Sequence, residues 1–388
     1  MIKRVAIVTN GGDAPGLNAV INAIVKTAEK NDVEVYGYLD GYRGILEDRY
    51  IRLRSRTTAK NIISRGGTII GTSNNVNLFK LKKLADDGTI TYEDMSDYCA
   101  KKIKDNGFDV VFSLGGDGTQ KSARDFSKKG IHFIGIPKTI DNDLATTDLT
   151  FGFQTAVQTA TDAVDRLITT ADAHDRIMVL EVMGRYAGWI ALYTAIAGGV
   201  DACLIPEIPY DLEIVAKKIK KDKANGKDYS LVIVSEGAVE KGGELIVKTD
   251  TGDREGIDNL KLGGAGEYVA KRLEELTGIE SRSTTLGYIQ RGGTPTANDR
   301  ILSSRYGTKA MEFAMKGIKN VLVTLKDGKI CYSSLDEVVG NNTEIGAISG
   351  NTKESNIRKV PVDSELIETA RNLMITFGDE AEQEKKQE

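Results

Sequence analysis

The chain has 388 residues, more than the roughly 250–300 at which a single hydrophobic core stops growing, so two domains are expected. The composition is 40% hydrophobic and 28% charged, ordinary for a folded soluble protein, and no apolar run approaches the ~18 residues of a membrane-spanning helix. The net charge of −4 gives no general attraction to nucleic acid, and three scattered cysteines offer neither a disulfide framework nor a zinc spacing. We therefore expect a reducing, cytoplasmic location and no membrane or nucleic-acid partner.

Short runs rich in β-branched residues alternate with segments of helical periodicity along the chain. The predicted strands are RVAIVTN, VEVYGYL, DVVFSLGG, HFIGIPK, IMVLEVMG, ACLIPE, LVIVSEG, STTLGYIQRGG and NVLVTL. The predicted helices are residues 17–29, 153–170, 186–198 and 294–316, with apolar positions three and four apart. This alternation predicts an α/β fold with parallel sheets covered on both faces. The charged end, residues 381–388, is predicted to be a disordered tail.

The first glycine-rich motif, TNGGDAPGLN, covers residues 9–18 between the first predicted strand and the first helix. Its glycines permit positive φ and a close backbone approach, and the helix start that follows presents unpaired N–H groups to an anion. A plain connecting turn would explain the two glycines alone. The added aspartate and proline favour a phosphate cradle.

The second motif, LGGDGT, covers residues 114–119 after the buried-looking strand FDVVFS. Gly116 lets the backbone approach a phosphate chain, and Asp117 can hold Mg²⁺ through one carboxylate and several waters, as that ion prefers. The sequence contains no GxxxxGK[ST] loop, and no GxGxxG follows a strand. A GGDGT motif also resembles that of NAD kinases and diacylglycerol kinases, the nearest competing enzyme class.

The third motif, PKTIDND, places a lysine, a threonine and two aspartates within residues 137–143. Phosphoryl transfer to a hydroxyl needs an acidic residue to accept the proton, a metal, and cations near the transferring group. In an extended segment Asp141 and Asp143 point to the same side, one toward a hydroxyl and one toward a metal, while Thr139 can donate to a phosphate oxygen. A self-satisfied Asx turn is the structural alternative. The nearby GGDGT favours the functional interpretation, and with only two histidines in the chain a carboxylate is the expected base.

Four arginines flank the predicted strands: Arg176, Arg185, Arg282 and Arg291. Because the arginine fork binds phosphate in a bidentate manner, the series suggests a doubly anionic substrate. Glu236, at the end of LVIVSEG, either accepts hydrogen bonds from sugar hydroxyls or forms an ordinary salt bridge, and the local sequence leaves both open.

In this order GGDAPGLN, GGDGT, PKTIDND, VMGR, SEG and LGYIQRGG resemble the phosphofructokinase family, which phosphorylates the 1-hydroxyl of fructose 6-phosphate. The resemblance implies two Rossmann-like, three-layer α/β domains with mostly parallel sheets and the active site in the cleft between them. It implies an ATP-binding domain of residues 1–151 plus about 290–340, and a fructose 6-phosphate-binding domain of residues 152–289 plus about 341–380. It also implies a homotetramer, or a dimer, whose subunits share active sites.

Individual roles follow from the same resemblance. Asp141 is implied as the catalytic base, with Thr139 and Asp143 as supporting neighbours, and Asp117 as the residue that binds the Mg²⁺ cofactor. The implied ATP- and phosphate-binding residues are Gly12, Asn74, Gly116, Asp117, Gly118 and Thr119. The implied sugar-phosphate-binding residues are Thr139, Asp141, Arg176, Met183, Gly184, Arg185, Glu236, Arg282, Tyr288 and Arg291. Of these, Arg176 and Arg282 are implied to come from a neighbouring subunit, and Arg185 to offset transition-state charge.

The choice of phosphoryl donor depends on a few positions. Gly118 is typical of ATP-dependent members, since an aspartate there accompanies pyrophosphate and crowds the α-phosphate site. Lys138 is typical of pyrophosphate enzymes and also of a mixed group of ATP enzymes, which this sequence resembles. Asn74 stands where many bacterial ATP enzymes have an arginine, and Lys138 is expected to supply that cation in catalysis. ATP is the expected donor and pyrophosphate the alternative; further alternatives are an NAD or lipid kinase and a non-catalytic sugar-phosphate sensor.

Overall fold

The computed structural model describes residues 2–84, 88–250, 260–340 and 357–380. The chain forms two compact units. The first comprises Met1–Ile140, Leu144–Gln154 and Arg291–Asn341, and the second comprises Asp141–Asp143, Thr155–Gln290 and Asn342–Glu388. The tail expected at residues 381–388 lies outside the described residues, as do residues 341–356 of the expected second domain.

Strands and helices alternate through most of the described chain. The strands are β1 (Arg4–Thr9), β2 (Glu34–Tyr38), β3 (Tyr50–Leu53), β4 (Leu81–Leu84), β5 (Ile90–Glu93), β6 (Val110–Gly115), β7 (Phe133–Thr139), β8 (Phe151–Gly152), β9 (Ile177–Val182), β10 (Ala202–Leu204), β11 (Ser230–Ser235), β12 (Val247–Asp250), β13 (Leu260–Leu262), β14 (Ser281–Thr285), β15 (Val321–Lys326) and β16 (Lys329–Ser334). The helices are α1 (Leu17–Glu29), α2 (Tyr42–Leu46), α3 (Ser96–Asp105), α4 (Asp117–Lys128), α5 (Phe153–Asp172), α6 (Trp189–Gly198), α7 (Leu212–Ala224), α8 (Ala265–Thr277), α9 (Ala297–Met315), α10 (Leu335–Val339) and α11 (Glu365–Asn372).

The predicted strands and helices are confirmed, with shifts at some ends. Of the predicted strand STTLGYIQRGG only the first part belongs to β14, and Gly287–Arg291 form a 3₁₀ turn instead. The helix predicted from residue 186 begins at Trp189, because the tight loop after β9 extends through Gly188. The helix predicted from residue 294 begins at Ala297, after Thr296 caps it by accepting the N–H of Asp299.

The first unit is built on a mostly parallel sheet with strand order β16-β15-β7-β6-β1-β2-β3, and β8 pairs with β7. Successive strand residues point to opposite faces, and both faces are apolar. Val5 and Ile7 pack into one core cluster with α1 and α9, whereas Ala6 and Val8 pack into another with α2, α3, α4 and α10. Helices therefore cover both faces, which explains why the strands appear in the sequence as continuous apolar runs.

The second unit is built on a parallel sheet with strand order β10-β11-β9-β14. Residues Ile177, Val179, Val232 and Val234 pack in one core with α7 and α8. Helix α6 contacts β10 and β11, and α11 contacts α6. The predicted α/β class with mostly parallel sheets is confirmed. Among the described residues, no helix combines the length and apolar character needed to cross a membrane.

Candidate active site

The GGDAPG loop follows β1 at the carboxyl edge of the first unit's sheet. The Gly11 N–H donates to the Ser73 carbonyl oxygen at 2.9 Å, and Thr72 Oγ1 donates to the Gly11 carbonyl oxygen at 2.7 Å. Thr72 and Ser73, which precede Asn74, are therefore hydrogen-bonded to the first glycine of the loop. Asn74 itself is exposed beside this junction.

The GGDGT loop follows β6, the neighbour of β1 in the sheet, and leads directly into α4. Gly116 is the residue before the first helical turn, which contains Asp117, Gly118 and Thr119. A helix start with glycines presents N–H groups and a positive dipole to an anion. A Cβ added at Gly118 would meet no heavy atom of the described residues within 4 Å, so the surface there is open.

Lys138 lies in β7, next to β6, and its side chain contacts the GGDAPG loop. Its side chain is buried, with 4% of the residue exposed, and Nζ donates to the carbonyl oxygen of Gly12. A Cβ added at Gly11 would lie 3.5 Å from the same ammonium group. The structure thus brings the cation predicted to act on the donor phosphates to the GGDAPG loop.

Arg291 lies in the same unit, against this loop. Its Nη1 is 3.5 Å from the Asp13 carbonyl oxygen, and a Cβ added at Gly12 would lie only 2.3 Å from that nitrogen. Its Nε is buried without a hydrogen-bond partner among the described residues. Arg291 and Lys138 therefore place two positive charges beside the GGDAPG loop. The backbone of this loop can approach a phosphate.

The PKTIDND segment passes from the first unit into the second. Strand β7 ends at Thr139, whose carbonyl oxygen accepts a hydrogen bond from Thr150 Oγ1 at 2.7 Å. Asn142 then adopts a left-handed conformation with φ 54, so Asp141 and Asp143 flank a turn rather than alternating along an extended chain. The segment is therefore not extended at Asn142, and the alternation expected of an extended segment does not apply to Asp141 and Asp143.

In the second unit, the loops after β9 and β11 are joined by hydrogen bonds. Ser235 Oγ donates to the Gly184 carbonyl oxygen at 2.7 Å, and the Glu236 N–H donates to the Val182 carbonyl oxygen at 2.9 Å. Gly184 has φ 139, and a Cβ there would lie 2.4 Å from Ser235 Oγ, so only glycine fits this turn. Parallel pairing of β9 with β11 therefore brings Met183, Gly184, Arg185 and Glu236 together.

The 3₁₀ turn after β14 joins the same edge. The buried Gln290 accepts the Met183 N–H through Oε1 at 2.8 Å, and the Leu286 N–H donates to the Glu181 carbonyl oxygen at 3.1 Å. Tyr288, in this turn, is 80% exposed. Its side chain can therefore reach a ligand without displacing any packed neighbour.

Arg176 and Arg282 lie at the opposite, amino edge of this sheet. Arg176 precedes β9 and donates through Nε to Glu280 at 2.7 Å, which lowers the pKa of that carboxyl. Arg282 also pairs with Glu280, and its Nη1 lies 3.5 Å from Glu274. At ~3.3 Å per residue, the six-residue β9 separates Arg176 from the Arg185 loop by roughly 20 Å. The structure does not bring these two arginines to the other predicted residues of the same chain.

Three polar residues that contact the candidate site were not predicted from the sequence. Thr72, Tyr42 and Gln290 are polar residues whose partners are far along the chain; Tyr42, for example, donates to the Thr119 carbonyl oxygen at 3.2 Å. The glutamine could have been noticed within LGYIQRGG. The contacts of Thr72 and Tyr42 are visible only in the folded structure.

The GGDGT loop offers one carboxylate, that of Asp117, to a metal ion. Within the described residues, no group of three or more His, Cys, Asp or Glu side chains is arranged to hold a metal ion. A Mg²⁺ site in a phosphoryl-transfer enzyme uses one or two carboxylates together with substrate phosphates and waters. Asp117, at the start of α4 beside the glycine loop, fits such a site.

Comparison with known proteins identifies the family. A sequence model described as "Phosphofructokinase" matches residues 4–314. The chain is 46% identical over 380 residues to "ATP-dependent 6-phosphofructokinase 2" of Clostridium perfringens, covering 97% of this chain and 99% of that protein. It is 43% identical to "ATP-dependent 6-phosphofructokinase" of Chloroflexus aggregans, with coverage of 97% and 98%.

A crystal structure of a pyrophosphate-dependent phosphofructokinase from Marinobacter aquaeolei matches the fold with a TM-score of 0.74, covering 96% of this chain and 92% of the other at 22% identity. At that identity the match supports the fold alone. The family match and the two sequence relatives extend over most of the chain. The chain belongs to the phosphofructokinase family.

Proposed function

We propose that the protein is an ATP-dependent 6-phosphofructokinase, which transfers the γ-phosphoryl group of ATP to the 1-hydroxyl of fructose 6-phosphate and releases ADP and fructose 1,6-bisphosphate. The observation that carries this assignment is the 46% identity, over 97% of the chain, to a relative named as ATP-dependent. The open surface at Gly118 is consistent with it, because a nucleotide needs room beyond the β- and γ-phosphates. With ATP as substrate, we place the reaction in the cytoplasm.

The first unit supplies the donor side of the reaction in this proposal. Gly12, Gly116, Gly118 and Thr119 line the phosphates with backbone N–H groups, and Asn74 lies beside the transferring phosphate. Asp117 would hold Mg²⁺, which would offset the negative charge of the ATP phosphates.

The second unit supplies the acceptor side. Met183, Gly184, Glu236, Tyr288 and, from the chain's first unit, Arg291 hold fructose 6-phosphate. The 1-hydroxyl oxygen attacks the γ-phosphorus, the bond to ADP breaks, and the hydroxyl proton passes to the Asp141 carboxylate. Thr139 and Asp143 support that base, and Arg185 offsets the charge on the equatorial oxygens.

One experiment tests the assignment directly. Fructose 6-phosphate phosphorylation is measured with Mg²⁺ and either ATP or pyrophosphate, side by side, and turnover with ATP is expected. Turnover with pyrophosphate alone would mean that pyrophosphate is the donor, while fructose 6-phosphate would remain the acceptor. No turnover with either would reject the proposed reaction.

Lys138 is proposed to act as the cation on the transferring phosphate. Lys138→Met keeps most of the side-chain volume in this buried position but removes the ammonium group. We expect kcat with ATP to fall about 10²-fold, the effect of removing one preorganised charge-stabilising donor. The matched control is Lys128→Met, at an exposed lysine near the end of α4, which should leave kcat unchanged. Full turnover by the Lys138 variant would disprove the role.

Shared active sites are proposed because Arg176 and Arg282 lie at the amino edge of β9 and β14, away from Arg185. If they bind the sugar phosphate, they must do so in a neighbouring subunit. We therefore expect light scattering to give a tetramer, or a dimer, of the 42.1 kDa chain. A fully active monomer would contradict shared sites.

A further inference from the structure

The C-terminal residues Arg358–Val360 lie in the second unit, together with the turn of PKTIDND. The backbone N–H of Arg358 donates to the Asp143 carbonyl oxygen at 2.7 Å, and its Nη1 donates to the Asn142 carbonyl oxygen at 3.4 Å. One residue thus contacts the carbonyl groups of both residues that follow the proposed base Asp141. The contact bridges 216 positions of sequence.

Trp189 also contacts Arg358. Its Nε1 donates to the Arg358 carbonyl oxygen at 2.9 Å, and the guanidinium carbon lies 4.3 Å from the ring centroid, a cation–π geometry. Trp189 is 4% exposed and begins α6, directly after the loop that carries Arg185. Arg358 therefore joins the Asn142–Asp143 turn to the end of the Arg185 loop.

Glu207 links Val360, near Arg358, to Gly188 at the end of the Arg185 loop. Its carboxylate accepts the Gly188 N–H at 3.0 and 3.1 Å and the Val360 N–H at 2.8 Å. Burial raises the pKa of this carboxyl, while the two N–H donors act in the opposite direction. Residues Arg358–Val360 are thus attached to the end of the loop through both Trp189 and Glu207.

We propose that Arg358 is a positioning residue for phosphoryl transfer: it fixes the Asn142–Asp143 backbone, and with it Asp141, relative to the loop that carries Arg185. The inference rests on the proposed function, which makes Asp141 the base and Arg185 a transition-state cation. Asn142 has positive φ, so the turn depends on external contacts to keep one conformation. Misplacement of a reacting group by about 1 Å can lower a rate about 10²-fold.

The test compares Arg358 with Arg371, an arginine of α11 in the same unit. Arg371 is the matched control, since its guanidinium also lies over an aromatic ring, 5.0 Å from the ring centroid of Phe377, and it pairs with Asp379 at 2.6 Å. Neither partner has a proposed part in the reaction. In Arg358→Ala we expect kcat to fall at least about tenfold with both KM values within about twofold, and in Arg371→Ala no change in kcat. Melting temperatures of both variants show whether their loss of stability is similar.

Two further readouts separate positioning from general destabilisation. Arg358→Lys keeps a cation over the ring and should recover part of the lost kcat. Trp189 is the only tryptophan of the chain, so its emission should change in Arg358→Ala and not in Arg371→Ala.

The outcomes also separate this inference from the proposed function. An active wild-type enzyme in which Arg358→Ala and Arg371→Ala have equal kcat would overturn the positioning role and keep the function. A wild-type protein without turnover on ATP or pyrophosphate would overturn the proposed function, and the positioning role with it.

Discussion

Replacing Asp141 with asparagine is expected to lower kcat by about 10²–10⁴-fold, the range that general acid–base catalysis contributes. Asparagine keeps the size of the side chain but cannot accept the proton of the 1-hydroxyl. KM for fructose 6-phosphate should stay within about threefold, because the ground-state contacts are largely retained. The measurement is a steady-state assay with fructose 6-phosphate and ATP.

Asp148→Asn is the control for this substitution. Asp148 is an exposed aspartate shortly after PKTIDND, and its carboxylate accepts the Asp327 N–H at 2.8 Å in the first unit. It has no proposed role in the reaction, so its variant should turn over like the wild type. If Asp141→Asn retained more than about a tenth of wild-type kcat, another group would have to take the proton.

Replacing Gly118 with aspartate is expected to lower kcat/KM for ATP at least about 100-fold, equivalent to roughly 2.7 kcal/mol. The new carboxylate would stand in the first turn of α4, beside the proposed phosphate site, and would repel the phosphate chain. The fold should tolerate the change, since a Cβ at this position meets open space and acidic residues suit a helix start. An unchanged melting temperature would verify that tolerance.

Gly118→Ala is the control for the donor site, because it adds the Cβ without the charge. Its kinetics with ATP should stay within a fewfold of the wild type. Both variants are assayed with ATP and with pyrophosphate. Unchanged ATP kinetics in Gly118→Asp would mean that this residue does not face the nucleotide.

The secondary structure could be predicted wherever the local pattern was strong. The apolar run of β1 was sufficient to predict that strand, and the helical periodicity of α1 was sufficient to predict that helix with both ends correct. The antiparallel strand β16 was not predicted, although Asp327 and Gly328, both with positive φ, form the two-residue hairpin that creates it. That signal was present in the sequence as KDGK. The 3₁₀ turn at Gly287–Arg291 was not predicted, because residues typical of strands stand on both sides of Gly287, whose positive φ begins the turn.

The glycine loops, the acidic PKTIDND segment and the MGR and SEG loops were determined by the sequence itself, because each is a short run whose residue types are tied to a strand end. The tertiary structure alone decided their partners. Sheet order brought Lys138 to Gly12, parallel pairing of β9 with β11 interlocked Gly184 with Ser235, and the left-handed Asn142 turned Asp143 toward Arg358. Such contacts join residues that are far apart in sequence, and their geometry depends on the order of strands in each sheet rather than on any local pattern.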